Sequence, residues 1–341
     1  MIAVADYHNL RAWLEACRRP LLVSHRRPDG DALGALAAMT LALQDLGLDP
    51  RPVLSEPLPR RCALLADAVA WRFWEAERDA LVADCDAWVI LDTCTHSQLE
   101  ALAGHLPRAP RTAVLDHHPT RDEIGTRPGD LRLFDETAGA ACLLIHEWMR
   151  TVGLPLRPSI ATALFVGIAT DSGWFRFANT DARMLRAAAE LADAGAAAPA
   201  VYRAIYEQDP PARLRLIGRM LDTLELHADG RLAVMKLRRS DFAAAGADQS
   251  MTEDLVNEAG RIAGLEAIVL FTEEPNGGVR VNFRSKRVLD VAALAAQFGG
   301  GGHARASGAR PAGPWDEVVA QVVAAAQAAL AAAPPVTGSA E

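Results

Sequence analysis

The 341-residue chain is short of several things, and each shortage removes a class of function. Its five cysteines show no regular spacing and no CxxC, which argues against a disulfide framework and for a reducing compartment. Aromatic residues make up 6% of the chain, and Trp and Tyr lie scattered with no belt or stacking array, so neither a membrane interface nor a single-strand platform is expected. Positive charge is outweighed: 35 Lys and Arg against 43 Asp and Glu leave a net charge of -8, which excludes holding long nucleic acid mainly by counterion release. The first ten residues have no basic n-region and no apolar h-region, so no secretory signal is expected, and no charge-free apolar stretch reaches bilayer length. No internal repeat is visible. The alanine-rich run 318–333 carries Gln321 and Gln327 and reads as a surface helix, and 334–341 reads as disordered.

What remains is a chain that is half hydrophobic and long enough for two domains with cores of their own. Short apolar runs at 21–24, 87–91 and 112–115 alternate with segments of helical period. That alternation predicts an α/β domain with a mostly parallel sheet flanked by helices, its active groups just beyond the carboxyl ends of the strands. Helices are predicted at 32–46, closed by Gly47, and at 138–152, 159–169 and 181–194. Composition shifts after Gly195 and breaks again at Asp209-Pro210-Pro211, so 196–211 reads as a hinge, partly helical over 202–206. A helix at 212–226, strands at 232–237, 267–271 and 279–283, turn chemistry at 274–278 and a short helix at 290–298 predict a smaller α+β domain across a cleft. The expected divisions are 1–195, the hinge 196–211, 212–335 and a tail 336–341.

Chemistry gathers at the ends of the first-domain strands. After the first run, the turn residues Pro28 and Gly30 let His25, Asp29 and Asp31 point into one concavity. Carboxylates and neutral imidazole suit Mn2+, Mg2+ or another divalent ion, while the same residues alone make an ordinary turn and helix cap. Asp92 follows the second run as ligand or cap. Asp116-His117-His118 ends the third, and imidazoles buried there need polar partners. Asp171 closes an apolar helix. Four such positions in one layer favour a shared metal centre over four unrelated caps.

The order Pro-Asp-Gly-Asp, Asp-Thr, Asp-His-His, Thr-Asp-Ser-Gly and a late Gly-Gly-Gly-His resembles the DHH phosphoesterase superfamily with its DHH-associated C-terminal domain, over nearly the whole chain. Through the segment 170–180 and Phe283-Arg284-Ser285-Lys286 it looks nearest to the stand-alone nanoRNase/pAp-phosphatase group. The resemblance implies that His25 and Asp29 hold one metal ion, that Asp31, His117 and Asp171 hold a second, and that Asp92 bridges them. It gives Asp116 the task of orienting an imidazole and turns His118 toward the scissile phosphate or leaving oxygen. Ser172 stands where relatives often have threonine. The implied activity is hydrolysis of short oligoribonucleotides and of 3′-phosphoadenosine 5′-phosphate by a metal-activated water, with two divalent ions, Mn2+ preferred and Mg2+ or Co2+ as substitutes. The rival reading is a soluble phosphodiesterase of cyclic di-AMP or linear dinucleotides. A catalytically inactive nucleotide-binding protein is disfavoured by the complete ligand set. A cytoplasmic homodimer is also implied.

For the substrate, the glycines before His303 expose backbone N–H groups, and beside Arg305 and Arg284-Ser285-Lys286 they suggest an anion cradle. The resemblance assigns the terminal nucleotide or phosphate to Arg284, Ser285, Gly300, Gly301, Gly302 and His303. Arg176, soon after Asp171, is expected to reach substrate phosphate, with Phe175 and Phe177 in the core. With no continuous basic track, the expected partners are short RNA or small nucleotides, and neither long nucleic acid nor a membrane.

Overall fold

The apolar runs that precede the carboxylate motifs have no polar face to turn to water, and each is a strand buried on both sides. In the computed structural model, which describes residues 1–333, they lie in a six-stranded parallel sheet: β1 (Pro20–Val23), β2 (Arg51–Leu54), β3 (Arg72–Phe73), β4 (Ala87–Leu91), β5 (Thr112–Asp116) and β6 (Leu131–Phe134). Strand order is β3-β2-β1-β4-β5-β6, so the winding reverses between β1 and β4. An open α/β sheet leaves a crevice at that reversal, beyond the carboxyl ends of the strands. His25 follows β1 there and Asp92 follows β4.

Side chains alternate along these strands and feed two cores. Leu22, Val89 and Leu91 point into one, and Leu21, Val23, Trp88 and Ile90 into the other. The helices of this unit are α1 (Val4–Glu15), α2 (Gly30–Asp45), α3 (Trp74–Asp84), α4 (His96–Leu99), α5 (Ala141–Val152), α6 (Pro158–Asp171), α7 (Ala182–Asp193) and α8 (Ala198–Tyr206). Helix α2 is buried on every side from Gly30 to Leu43, as its near-continuous apolar sequence requires. Its approach to α6 is set by glycine: a Cβ at Gly34 would overlap the Ala163 carbonyl and stand 3.0 Å from Cys142 Sγ, and one at Gly30 would strike the Thr170 side chain.

The chain divides at Gln208–Asp209. Much of the segment expected as a hinge is instead α8, whose Val201 and Ile205 are buried in the core of the first unit. Apolar residues four apart anchor it, which the Ala/Pro-rich composition masked. Strands β2, β3 and β6 escape sequence reading because they are short and carry Arg51, Arg72 and Arg132.

The second unit has its own sheet, in the order β11-β12-β10-β9-β8-β7: β7 (Glu225–His227), β8 (Leu232–Leu237), β9 (Ala267–Glu273), β10 (Val279–Ser285), β11 (Gly301–His303) and β12 (Ala306–Ala309). One face packs against α11 (Val291–Ala296) and α12 (Trp315–Ala332), and the other, over β8 and β9, against α9 (Pro211–Asp222) and α10 (Arg239–Ala245). The helix expected over 212–226 stops at Asp222, and its last residues turn into edge strand β7, paired with β8. The expected tail 336–341 lies outside the described residues.

The α2–α6 crossing makes Gly34→Ala a direct test. The added methyl is expected to cost about 1–3 kcal/mol by overpacking, seen as a lower urea midpoint at unchanged slope. An unchanged midpoint would refute the close approach.

Candidate metal and substrate sites

The crevice between β1 and β4 draws its side chains from five segments. His25 and Asp29 lie on the turn after β1, and Asp29 also caps α2, its Oδ1 accepting from the N–H groups of Asp31 (2.9 Å) and Ala32 (3.1 Å). Cap and ligand are therefore compatible for one carboxylate. Asp31, in the first turn of α2, is 1% exposed and reaches the N-terminus of α5, where the N–H groups of Ala141 and Cys142 donate to it at 2.5 and 2.9 Å. Asp92 follows β4 with a φ of 62°, a left-handed conformation that a non-glycine residue holds only when its surroundings enforce it. Asp171 arrives at the carboxyl end of α6.

These groups meet. His25 Nε2 lies 4.0 Å from Asp29 and 3.5 Å from Asp92, and His117 Nε2 lies 3.9 Å from Asp31, 3.3 Å from Asp92 and 3.8 Å from Asp171. Two candidate ion-holding groups result, His25 with Asp29 and Asp92, and Asp31 with His117 and Asp171; a third joins Asp92 to His117 and His118.

Hydrogen bonds fix the imidazoles. His117 Nδ1 lies 3.0 Å from the Ala138 carbonyl, which can only accept, so Nδ1 carries a proton and Nε2 faces the carboxylates, offering its lone pair once His117 is neutral. His118 Nδ1 lies 2.8 Å from Asp116 Oδ1, which also accepts from the N–H groups of His117 and His118. The imidazole oriented by Asp116 is thus His118, whose Nε2 points away from that carboxylate.

Electrostatics test whether cations fit. Burial and then the charge of Asp92 push Asp31 up to about 7. Burial and then Asp31 push Asp171 up to about 8. Burial would raise Asp92 too, but the neighbouring His117 and His25 imidazoles overcome it and hold Asp92 down to about 2. Burial works against a charged His117, yet Asp92 and Asp31 raise it to about 10. His25 rises for the same reason, the Asp92 partner outweighing burial, whereas His118 is raised chiefly by its hydrogen bond to Asp116. Asp92 Oδ1 is buried without a hydrogen-bond partner although His117 Nε2 is 3.3 Å away. With the His117 proton on Nδ1, two acceptors face each other across that gap, and a proton or a cation satisfies them equally. The donor set of carboxylate oxygens and imidazole nitrogens fits divalent ions.

Gly167 was not singled out from sequence, yet a Cβ there would stand 2.5 Å from Asp31 Oδ1. Asn179 was missed as well; its amide donates to the Gly139 (3.0 Å) and Asp171 (3.1 Å) carbonyls and ties the turn after β6 to the end of α6. Arg176 is not gathered with the ligands. Its Nε donates to the Gly173 carbonyl at 2.7 Å, and Phe177, expected in the core, is 55% exposed beside it.

In the second unit, Ser285 and Arg305 come together: Arg305 Nη1 lies 3.3 Å from Ser285 Oγ and 2.9 Å from the Leu289 carbonyl. Arg284 is partly buried and points to Asn257, its Nε donating to Oδ1 at 3.1 Å. The glycine run is not a loose loop but edge strand β11 pairing with β12, and Gly302, at φ 139°, has a backbone that a Cβ would drive into Ala306 and Ser307. His303 ends that strand, exposed. Sequence reading missed Glu266. It is 1% exposed and accepts from the N–H groups of Arg287, Val288 and Leu289 at 3.1, 2.7 and 3.1 Å and from Ser285 Oγ at 3.2 Å, fixing the turn that carries Ser285.

Fold and site define an α/β protein with a candidate binuclear cation centre at the carboxyl edge of a parallel sheet. Residues 20–168 match the DHH family, N-terminal domain, and residues 229–332 match the DHHA1 domain. The chain is 30% identical over 302 residues to the bifunctional oligoribonuclease and PAP phosphatase NrnA of Bacillus subtilis, covering 87% of this chain and 90% of that one. It is 29% identical over 297 residues to the protein of the same name from Thermus thermophilus, covering 87% and 85%. An exopolyphosphatase-related protein from Bacteroides fragilis shares the fold, with a TM-score of 0.87 at 21% identity over 97% of each chain. The chain belongs to the DHH family and carries its DHHA1 domain.

Two outcomes are expected. Because Asp31, Asp171 and His117 must lose protons to act as ligands, Mn2+ affinity should fall as pH drops through about 8 and about 7, and binding near neutrality should release protons. Calorimetry in buffers of different ionisation enthalpy reads that release directly, and none at pH 7 would contradict the assigned ligands. Glu266→Ala should cost about 1–3 kcal/mol in a denaturant melt, since it strands buried donors; a neutral result would mean that water replaces the carboxylate.

Proposed function

We propose that this chain is a two-metal phosphoesterase that hydrolyses very short oligoribonucleotides and removes the 3′-phosphate of 3′-phosphoadenosine 5′-phosphate. The observation that carries the reading is the convergence of two ligand groups through the 3.3 Å approach of His117 to Asp92. Family membership and the names of the two relatives with near-complete coverage support the substrate class.

In this reading His25, Asp29 and Asp92 would hold one divalent ion, and Asp31, His117 and Asp171, with Asp92 beside them, would hold the other. When bound, such ions, with Mn2+ the preferred species, supply Lewis-acid charge to phosphoryl oxygens and lower the pKa of water. The chain's own groups do the rest. Asp116 holds His118 by Nδ1 and raises its affinity for a proton, which suits Nε2 to donating a proton to the leaving oxygen. The Ala138 carbonyl holds the His117 tautomer, and the α5 N-terminus keeps Asp31 pointing inward. Ser285, Arg305, Arg284 and the backbone of Gly300, Gly301 and Gly302 with His303 take the terminal nucleotide and its phosphate, and Arg176 neutralises phosphate from the first unit.

The same reading takes the chain as a cytoplasmic homodimer. All five cysteines are buried thiols, which suits a reducing compartment. No helix among the described residues is long and apolar enough to cross a membrane.

The deciding experiment offers the purified protein with Mn2+ a panel of 5′-labelled RNA dimers to pentamers, 3′-phosphoadenosine 5′-phosphate, cyclic di-AMP, its linear product and pyrophosphate. Turnover of the RNA oligomers and 3′-phosphoadenosine 5′-phosphate is expected; activity on pyrophosphate alone overturns the proposal, and preference for cyclic di-AMP transfers it to the dinucleotide reading. Asp29→Ala, Asp92→Ala and His117→Ala should each lower kcat by roughly a thousandfold or more, the several kcal/mol of charge stabilisation that a lost ion withdraws, with far-UV circular dichroism unchanged. Full activity in any of them removes that residue from the centre.

A further inference from the structure

Trp and Tyr are scattered along the sequence, but the first unit gathers three of them. Trp174 meets Tyr202 at 4.9 Å between ring centroids and Tyr206 at 5.9 Å, both edge to face, and the two tyrosines lie 5.1 Å apart, tilted by 36°. Behind Trp174 stand Phe165, at 5.8 Å, and Phe175, at 6.3 Å. Helix α8 buries Val201 and Ile205 but leaves Tyr202 38% and Tyr206 40% exposed, so the tyrosines do not serve the core. Tyr202 borders a cavity of about 400 Å³ lined also by Trp174, Ala198, Pro199, Arg203 and Glu207, and Tyr206 packs beside it. The Arg203 guanidinium takes part in no ion pair among the described residues.

Position ties the cluster to the metal centre. Trp174 is three residues beyond Asp171, so their Cα atoms are at most about 11 Å apart. Gly173, Trp174 and Phe175 all have left-handed φ values, 56°, 60° and 62°. Such a run is costly for two aromatic residues. The strained turn is braced from beneath: Ser172 Oγ accepts from the Phe175 N–H at 3.0 Å and itself donates to the Ile168 carbonyl at 2.6 Å. A rigid device thus turns an indole ring sideways directly after a candidate ligand, toward two exposed phenol rings and a cation. Flat aromatic walls with a guanidinium at the rim match the stacking surface and neighbouring phosphate of a nucleotide.

We infer that Trp174, Tyr202, Tyr206 and Arg203 form a stacking subsite for a nucleobase of an oligonucleotide whose phosphodiester lies at the carboxylate centre. The inference rests on the phosphoesterase reading above and adds a second base position, distinct from the terminal-nucleotide cradle of the second unit. Stacking accepts any base, so the subsite favours oligonucleotides over single nucleotides without reading sequence.

The test uses Tyr202→Ala and Tyr206→Ala, singly and together, with Tyr202→Phe as the conservative control. Steady-state kinetics compare RNA dimers to pentamers, the same oligomers with one abasic position, and 3′-phosphoadenosine 5′-phosphate. Loss of stacking should lower the oligomer-to-mononucleotide ratio of kcat/KM roughly tenfold or more, mainly through KM, with Tyr202→Phe close to the parent. The parent should also discriminate against abasic oligomers, and the double variant should not. Binding of an RNA dimer without metal, followed by tryptophan quenching, reads the subsite independently of turnover and should weaken in the same variants. Equal losses on all substrates, no loss, or a shift from dimer to monomer in sedimentation would overturn the inference, the last by making the cluster a contact between copies. If the parent turns over nothing, the phosphoesterase reading fails, and retained dimer binding by the double variant still overturns the subsite.

Discussion

Carboxylates crowded at a buried sheet edge repel one another, and most of the first unit can be understood as the scaffold that forces them together. Asp31 and Asp171 sit on different helices, and they approach only because Gly30, Gly34 and Gly167 let α2 and α6 cross without intervening side chains. Asp92 holds a left-handed backbone. Two α5 N–H groups grip Asp31, and carbonyl and carboxylate partners fix the two adjacent histidines. Each device removes freedom before any ion or substrate binds, and preorganisation of this kind separates a site from a cluster of acidic residues.

The raised Asp31 and Asp171 and the depressed Asp92 follow from that crowding. Burial penalises every charge present, and the imidazoles overcome that penalty only at the carboxylate they touch best. Charge is therefore shared unevenly: Asp92 keeps its negative charge beside His25 and His117, while the two helical carboxylates hold protons into the neutral range. Divalent ions resolve the same imbalance by replacing protons with localised positive charge.

The carboxylates and imidazoles gathered at the crevice were legible in sequence because each adjoins a strand or helix whose apolar run is unmistakable, and the motif order carried the family resemblance. Backbone partners were not legible. Nothing in Ala138 marks its carbonyl as the acceptor for His117, and Gly167 and Asn179 look ordinary until α6 is seen against its neighbours. The helix within the expected hinge was read only over 202–206 because alanine and proline before it resemble a linker, whereas α8 begins at Ala198 and is anchored by Val201 and Ile205. Scattered aromatic residues suggested no platform because contact between Trp174 and the tyrosines is made by tertiary structure alone. Local chemistry is written in neighbouring letters, and long-range packing is not.

Glu266 in the second unit holds its turn chiefly by backbone N–H groups at Arg287, Val288 and Leu289, with the Arg287 guanidinium 3.5 Å from its other carboxylate oxygen. A clamp that reaches Val288 and Leu289 through the main chain alone holds the turn without using those two side chains. The shape of this turn is thereby uncoupled from the side chain at 288, whose charge and size can drift or be redesigned while Ser285 and Arg305 keep their places. Surface chemistry can diversify at that position without the fold being renegotiated each time.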